Sequence, residues 1–254
     1  MKLKINIRQE IRIGAALLGL SFLIAFSERK QGGALCKDVV VELQNIQDNH
    51  FLDEADILRL VETSGQPVKG TNINRIDLKA IETKLKYDKH IREAELYGDL
   101  KGNLIVTVAL RRPIARIVQD NAPDAYISEE GIIMSVSDKF SSRVMVISGK
   151  YVKQLLEKGD LTKFEEGKKL MEMLTFIQEE PFWKAQIAQM DISSRGEITI
   201  YPQVTGQLVE FGTPQNFELK LRKLMVFYKE VLPQKGWTKY ERVNLKYEGQ
   251  VIAE

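Results

Sequence analysis

The chain of 254 residues is 44% hydrophobic and 28% charged, enough apolar content for one large or two small cores and too much for a disordered protein. Its 37 Lys and Arg stand against 35 Asp and Glu, and a net charge of +2 excludes the basic surface that nucleic acid requires. The single cysteine, Cys36, excludes an intrachain disulfide without excluding an oxidising compartment.

At the start, Lys2, Lys4, Arg8 and Arg12 precede an apolar run over residues 13–26, and Glu28, Arg29 and Lys30 follow it. As a helix this run covers about 21 Å of a hydrocarbon core about 30 Å thick. Extension through Ile7, Ile11 and Ser27, with Arg8 and Arg12 snorkelling, lengthens it enough to span a bilayer. A cleaved signal peptide ending near Ala25-Phe26-Ser27 is the alternative. In both cases the preceding positive charges send the remainder across the membrane. The stretch "ERKQGGALCKD" reads as a polar tether over 28–38, with Cys36 a free thiol near the membrane.

"VVVELQNI" is then a β-branched strand. A helix follows with Asp53 as N-cap and Gly65 just past its end, and a second helix over 77–87 has Leu78, Ile81 and Leu85 on its inner face. Strands over 91–97 and 103–111 flank the turn "GDLKG". The order β-α-α-β-β closes a small core if both helices cover one face of the sheet. In "RRPIAR", Pro113 denies the ladder a donor and marks a boundary. Its three arginines read as a solvated edge or as an anion site, the first being the simpler account.

Beyond it, short strands are expected over 115–119, 125–128, 132–136 and 144–148, then a helix over 161–178 ended by Pro181. "QIAQMDISS", "GEITIYP" and "QLVEFG" form an antiparallel run. Thr213 and Pro214 open a helix with Phe217, Leu221, Leu224 and Tyr228 along its inner stripe, which Pro233 and Gly236 close. From Val243 the chain alternates: Val243, Leu245, Tyr247 and Val251 point one way, and Asn244, Lys246, Glu248 and Gln250 the other. This is a strand with one buried face and an edge open to another polypeptide, or else covered by the preceding helix.

Groups suited to catalysis are few. His50 and His90 lie in polar turns with no metal-ligand spacing and are expected at the surface, and no nucleophile elbow or phosphate loop is present. Phe182 and Trp183 read as a plug between helix and sheet. No catalytic, metal-binding or cofactor-binding residue is assigned.

Taken together, "IRQEIRIGAALL" through "CKDVVVEL", then "LRRPIARI", "AYISEEGIIMSVS" and the closing "GQLVEFGTPQNFELKLRKLMVFYKEVLPQKGWTKYERVNLKYEGQVIAE" resemble the FtsQ/DivIB family of bacterial division proteins from end to end. The resemblance implies an α+β chain: a cytoplasmic tail (1–12), one transmembrane helix (13–27), the tether, a POTRA domain (39–112) and a mixed antiparallel-sheet β domain with two helices (113–254). It implies a non-enzymatic scaffold of the divisome in the plasma membrane at the septum, with the folded part outside. Its partners would be FtsB/DivIC-like and FtsL-like coiled-coil membrane proteins, other divisome components and, through the N-terminal helix, the lipid bilayer. Strand addition at Val243, Leu245, Lys246, Tyr247, Glu248, Gln250 and Val251 would hold the coiled-coil partners. The competing readings are an exported peptidoglycan hydrolase or glycan-binding module with a groove at Trp183 or Trp237, and a POTRA-type chaperone of an export system.

Overall fold

The computed structural model describes residues 17–18, 35–44, 49–120 and 122–254. Apart from Leu17 and Leu18, the predicted anchor lies outside the described residues, among which no helix is long and apolar enough to cross a membrane. The chain divides into two units, one holding residues 35–44 and 53–109, the other 49–52 and 110–254.

The first unit contains β1 (Val39–Gln44), α1 (Glu54–Glu62), α2 (Leu78–Tyr87), β2 (Ile91–Gly98) and β3 (Leu104–Leu110). Asp53 and Asp56 form a reciprocal capping box on α1, with N to O distances of 2.9 and 3.1 Å, and Asp77 caps α2 through the Ala80 N–H. Ile57, Val61, Ile81 and Leu85 are the buried residues of these helices, which pack on β1 and β2. The sheet runs β1-β3-β2 with β1 parallel to β3, because two helices intervene before the chain returns.

Two expectations are corrected here. Residues 35–38, assigned to the tether, are bonded into the fold: Cys36 N–H donates to Thr71 O and Lys37 N–H to Gly102 O, both at 2.8 Å. Cys36 is therefore a buried thiol whose pKa burial raises. His90 is also buried, with Nδ1 2.9 Å from Asp88 Oδ1, because the turn after α2 folds it inward against that carboxylate.

In the second unit the elements are β4 (Pro113–Ile117), β5 (Ala125–Ser128), β6 (Ile133–Ser135), β7 (Met145–Ser148), α3 (Val152–Lys158), α4 (Glu165–Glu179), α5 (Pro181–Gln186), β8 (Ile187–Ile192), β9 (Ile198–Pro202), β10 (Leu208–Gly212), α6 (Phe217–Val226), α7 (Leu232–Lys235), β11 (Arg242–Asn244) and β12 (Ile252–Ala253). They build one nine-stranded sheet in the order β12-β11-β10-β9-β8-β7-β4-β5-β6. It is more mixed than expected: β7 is parallel to both β4 and β8, and β11 is parallel to β10. The last two of these pairings follow helical crossovers, while β4 reaches β7 through β5 and β6, a long connection in each case being what parallel neighbours require.

The helices also depart from expectation. Pro181 opens α5 as well as following α4. The residue before α6 is Asn216, held at φ 52°, and not Thr213. Pro233 does not end the helix, since a π turn over Phe227–Val231 widens the backbone where the proline ring and missing N–H would otherwise break it.

One face of the sheet, including Ile147, Met190, Ile200, Val209, Phe211, Val243 and Leu245, shares a single core with Leu174, Ile177, Leu221, Leu224 and Leu232 of the helices. Tyr126 and Met134 form a second small cluster with Phe51, whose ring meets Tyr126 edge to face at 5.0 Å.

Candidate partner-binding edge

The closing stretch is a hairpin and not the single strand its alternation suggested. Gly249 sits at φ 74°, a left-handed conformation that turns the chain and brings β12 back antiparallel on β11. Val243 lies opposite Val209 on one side and Ala253 on the other, so β11 has both edges paired. Val243 and Leu245 are wholly buried beneath the sheet. This corrects their placement on an open edge: they anchor the hairpin to the core.

The outermost strand is β12, with β11 as its one neighbour among the described residues. Glu254 N–H donates to Arg242 O at 3.0 Å and Arg242 N–H to Glu254 O at 3.1 Å. Inward and outward groups alternate along an antiparallel strand, so the N–H and C=O groups of Val251 and Ala253 face away from β11. Nearby, Tyr247 is 53% and Ile252 37% exposed, which leaves apolar surface beside unpaired main chain.

Two groups hold this hairpin from neighbouring elements. On β10, Glu210 Oε2 accepts from Asn244 Nδ2 at 2.8 Å, Glu210 Oε1 pairs with Arg242 Nη1 at 3.0 Å, and Lys246 Nζ lies 3.6 Å from Oε2. On α6, Lys223 Nζ donates to the carbonyls of Tyr247 at 2.8 Å and Gln250 at 3.3 Å, clamping the turn from below. Beside it, Lys220 has its pKa lowered by burial and then by Lys223, and it donates to Thr213 O. The sequence reading missed Glu210 and Lys223. Charge complementarity between Glu210 and the Arg242-Asn244-Lys246 row is a usable signal only once the parallel register is known.

The other candidates resolve into structure. Arg111, Arg112 and Arg116 pair with Glu130, Glu129 and Asp124 at 3.2, 3.3 and 2.6 Å. These pairs neutralise the arginines that an anion site would have used. Trp183 is 4% exposed and packs near Tyr228, so no sugar can stack on it, and only Trp237 is half-exposed. A cleft of about 760 Å³ is lined by residues that include His50, Arg112, Phe140, Ser141, Arg143 and Lys184. Its His50 ring meets Phe140 edge to face at 5.5 Å, while the Ser141 hydroxyl is taken up by Arg116 and Tyr126. Among the described residues no group of three His, Cys, Asp or Glu side chains is arranged to hold a metal.

A three-stranded unit with two helices on it, followed by a mixed sheet ending in a short hairpin, defines a POTRA-like module joined to a β domain. Residues 34–109 match the model of a POTRA-like domain, and residues 112–254 match the model described as FtsQ/DivIB, C-terminal related. The second match covers more than half of the chain, which belongs to the FtsQ/DivIB family. No curated protein matches it. Membership implies a role in cell division, in a family of non-enzymatic scaffolds of the septal membrane.

Proposed function

We propose that this chain is a membrane-anchored scaffold of the divisome that captures FtsB/DivIC-like and FtsL-like coiled-coil proteins by strand addition to the outer edge of β12. Residues 13–27 would be the anchor, residues 1–12 the cytoplasmic tail, and both folded units would lie outside the membrane. The observation that carries the reading is that, among the described residues, the sheet ends in a strand with one neighbour, its outward main chain flanked by Tyr247 and Ile252. An added strand gains affinity from main-chain bonds to Val251 and Ala253, while Lys246, Tyr247, Glu248 and Gln250 select the partner's side chains. Val243 and Leu245 support the edge from the core.

The test is Ala253→Pro, which removes one outward N–H and leaves the inward bonds of Ile252 and Glu254 in place. The full chain carrying it should retain its far-UV spectrum and melting temperature but lose capture of coiled-coil division proteins in a pull-down from membranes. Unchanged capture would rule out strand addition at β12.

A further inference from the structure

We propose a second, independent contact: the turn joining β2 to β3 is a foot that rests on the bilayer surface, with Leu100 entering the headgroup layer and Lys37 and Lys101 on the phosphates of anionic lipids. The proposal rests on the reading of residues 13–27 as a membrane anchor. Leu100 is 90% exposed. The turn that carries it is rigid: Asp99 Oδ1 accepts from the N–H groups of Lys101 at 2.8 Å and Asn103 at 2.7 Å, and Asp99 N–H donates to Asn103 O. Gly102 completes it at φ 90°. A tightly bonded turn thus holds an aliphatic side chain in water, an arrangement that contributes nothing to the core.

Position supplies the occupant. Lys37 N–H donates to Gly102 O at 2.8 Å, and Leu35, itself 58% exposed, has its carbonyl oxygen 3.4 Å from where a Gly102 Cβ would stand. The turn is therefore fastened to the first described residues after the apolar run. From Ser27 to Leu35 the chain takes eight steps, which reach at most about 28 Å when fully extended. An anchored chain keeps this end of the unit close to the lipid.

Charge agrees with position. Lys69 is paired with Asp38 at 2.9 Å, and the Asp99 carboxylate is taken up by the turn. Lys37 and Lys101 are exposed and have no carboxylate partner among the described residues. Two exposed leucines with two free ammonium groups match an interface that is apolar below and anionic above.

The far end of the same unit provides the control. Tyr87, the last residue of α2, is 80% exposed, and the eight residues of β2 separate that end from the turn by about 26 Å. The experiment uses the full chain in a Cys36→Ala background, reconstituted into vesicles of phosphatidylcholine with or without phosphatidylglycerol. An environment-sensitive fluorophore is placed on the thiol of Leu100→Cys or of Tyr87→Cys. The probe at position 100 should shift to the blue and be quenched severalfold more strongly by spin-labelled lipid than the probe at 87. That quenching should fall in Lys37→Glu/Lys101→Glu and in vesicles lacking phosphatidylglycerol. Chains that float with vesicles yet show equal, weak lipid quenching at both positions would overturn the foot while leaving the anchor intact. A blue shift at 100 without lipid quenching would also overturn it, in favour of a protein covering the turn. Chains that fail to float would overturn the anchor and the foot together.

Discussion

Asn244 on β11 donates its side-chain amide to the carboxylate of Glu210 on β10 at 2.8 Å, so the two parallel strands are tied by side chains as well as by main chain. Glu210 also faces Arg242 and Lys246, and its side chain is only 23% exposed. Glu210→Ala would leave Arg242 and the Asn244 amide without this acceptor, while Lys246 keeps Glu197 at 3.9 Å. A loss of about 1 kcal/mol is expected after discounting for the exposure of Arg242. Urea unfolding measures this loss, and hydrogen exchange should show it concentrated over residues 242–253.

Lys223 acts on the same hairpin through the carbonyls of Tyr247 and Gln250. Lys223→Met keeps the aliphatic stem and removes the donors. Global stability should move by less than about 0.5 kcal/mol, as for an exposed position, while the amides of residues 247–253 exchange faster. Partner capture should weaken in proportion to that fraying.

Val243 and Tyr247 belong to one alternating series in the sequence and have opposite fates in the fold, buried completely and 53% exposed. Val243→Asp would place a carboxylate among Val209, Phe211 and Leu224 with no partner and should unfold the second unit. Tyr247→Ala should leave the melting temperature nearly unchanged and reduce partner capture. Paired thermal melts and pull-downs separate the two effects.

The difference between these two residues shows where the sequence stops being legible. The β-α-α-β-β order, Asp53 as a cap, and the strand at 125–128 follow from local chemistry that the chain carries on its surface, whereas Asp77, read as the first residue of its helix, is the cap before it. Period-two alternation says which way side chains point along a strand but not how long the strand lasts, so Gly249 broke a pattern that continued on either side of it. The parallel pairing of β10 with β11, and hence the partnership of Glu210 with Asn244, depends on a crossover whose docking is set by the whole helix. The inward turn of His90 had no local sign either, because a polar spacing such as "YDKHIRE" describes a loop equally well whether its histidine faces water or Asp88.

That partly buried pair sets an acid limit on the first unit. Burial alone would raise the Asp88 carboxyl, but side-chain and backbone bonds from His90 outweigh it, and the net shift is downward from 3.8. A carboxylate depressed in the fold contributes stability that is present in full above its unfolded pKa and is lost as pH falls through its folded pKa. Stability should therefore decline below about pH 4, and Asp88→Asn should flatten that decline. Denaturant titrations of both proteins over the acid range check the slope.

The crossover between β10 and β11 has a consequence for synthesis. Leu208 and Arg242 become parallel neighbours across a crossover that holds α6 and α7, so until those helices dock β11 and β12 form a two-stranded hairpin with no sheet to join, which is marginal at best in water. On the proposed reading, a copy whose second unit had not closed would offer an incoming strand only a loose ribbon, and recruitment would favour molecules that had finished folding.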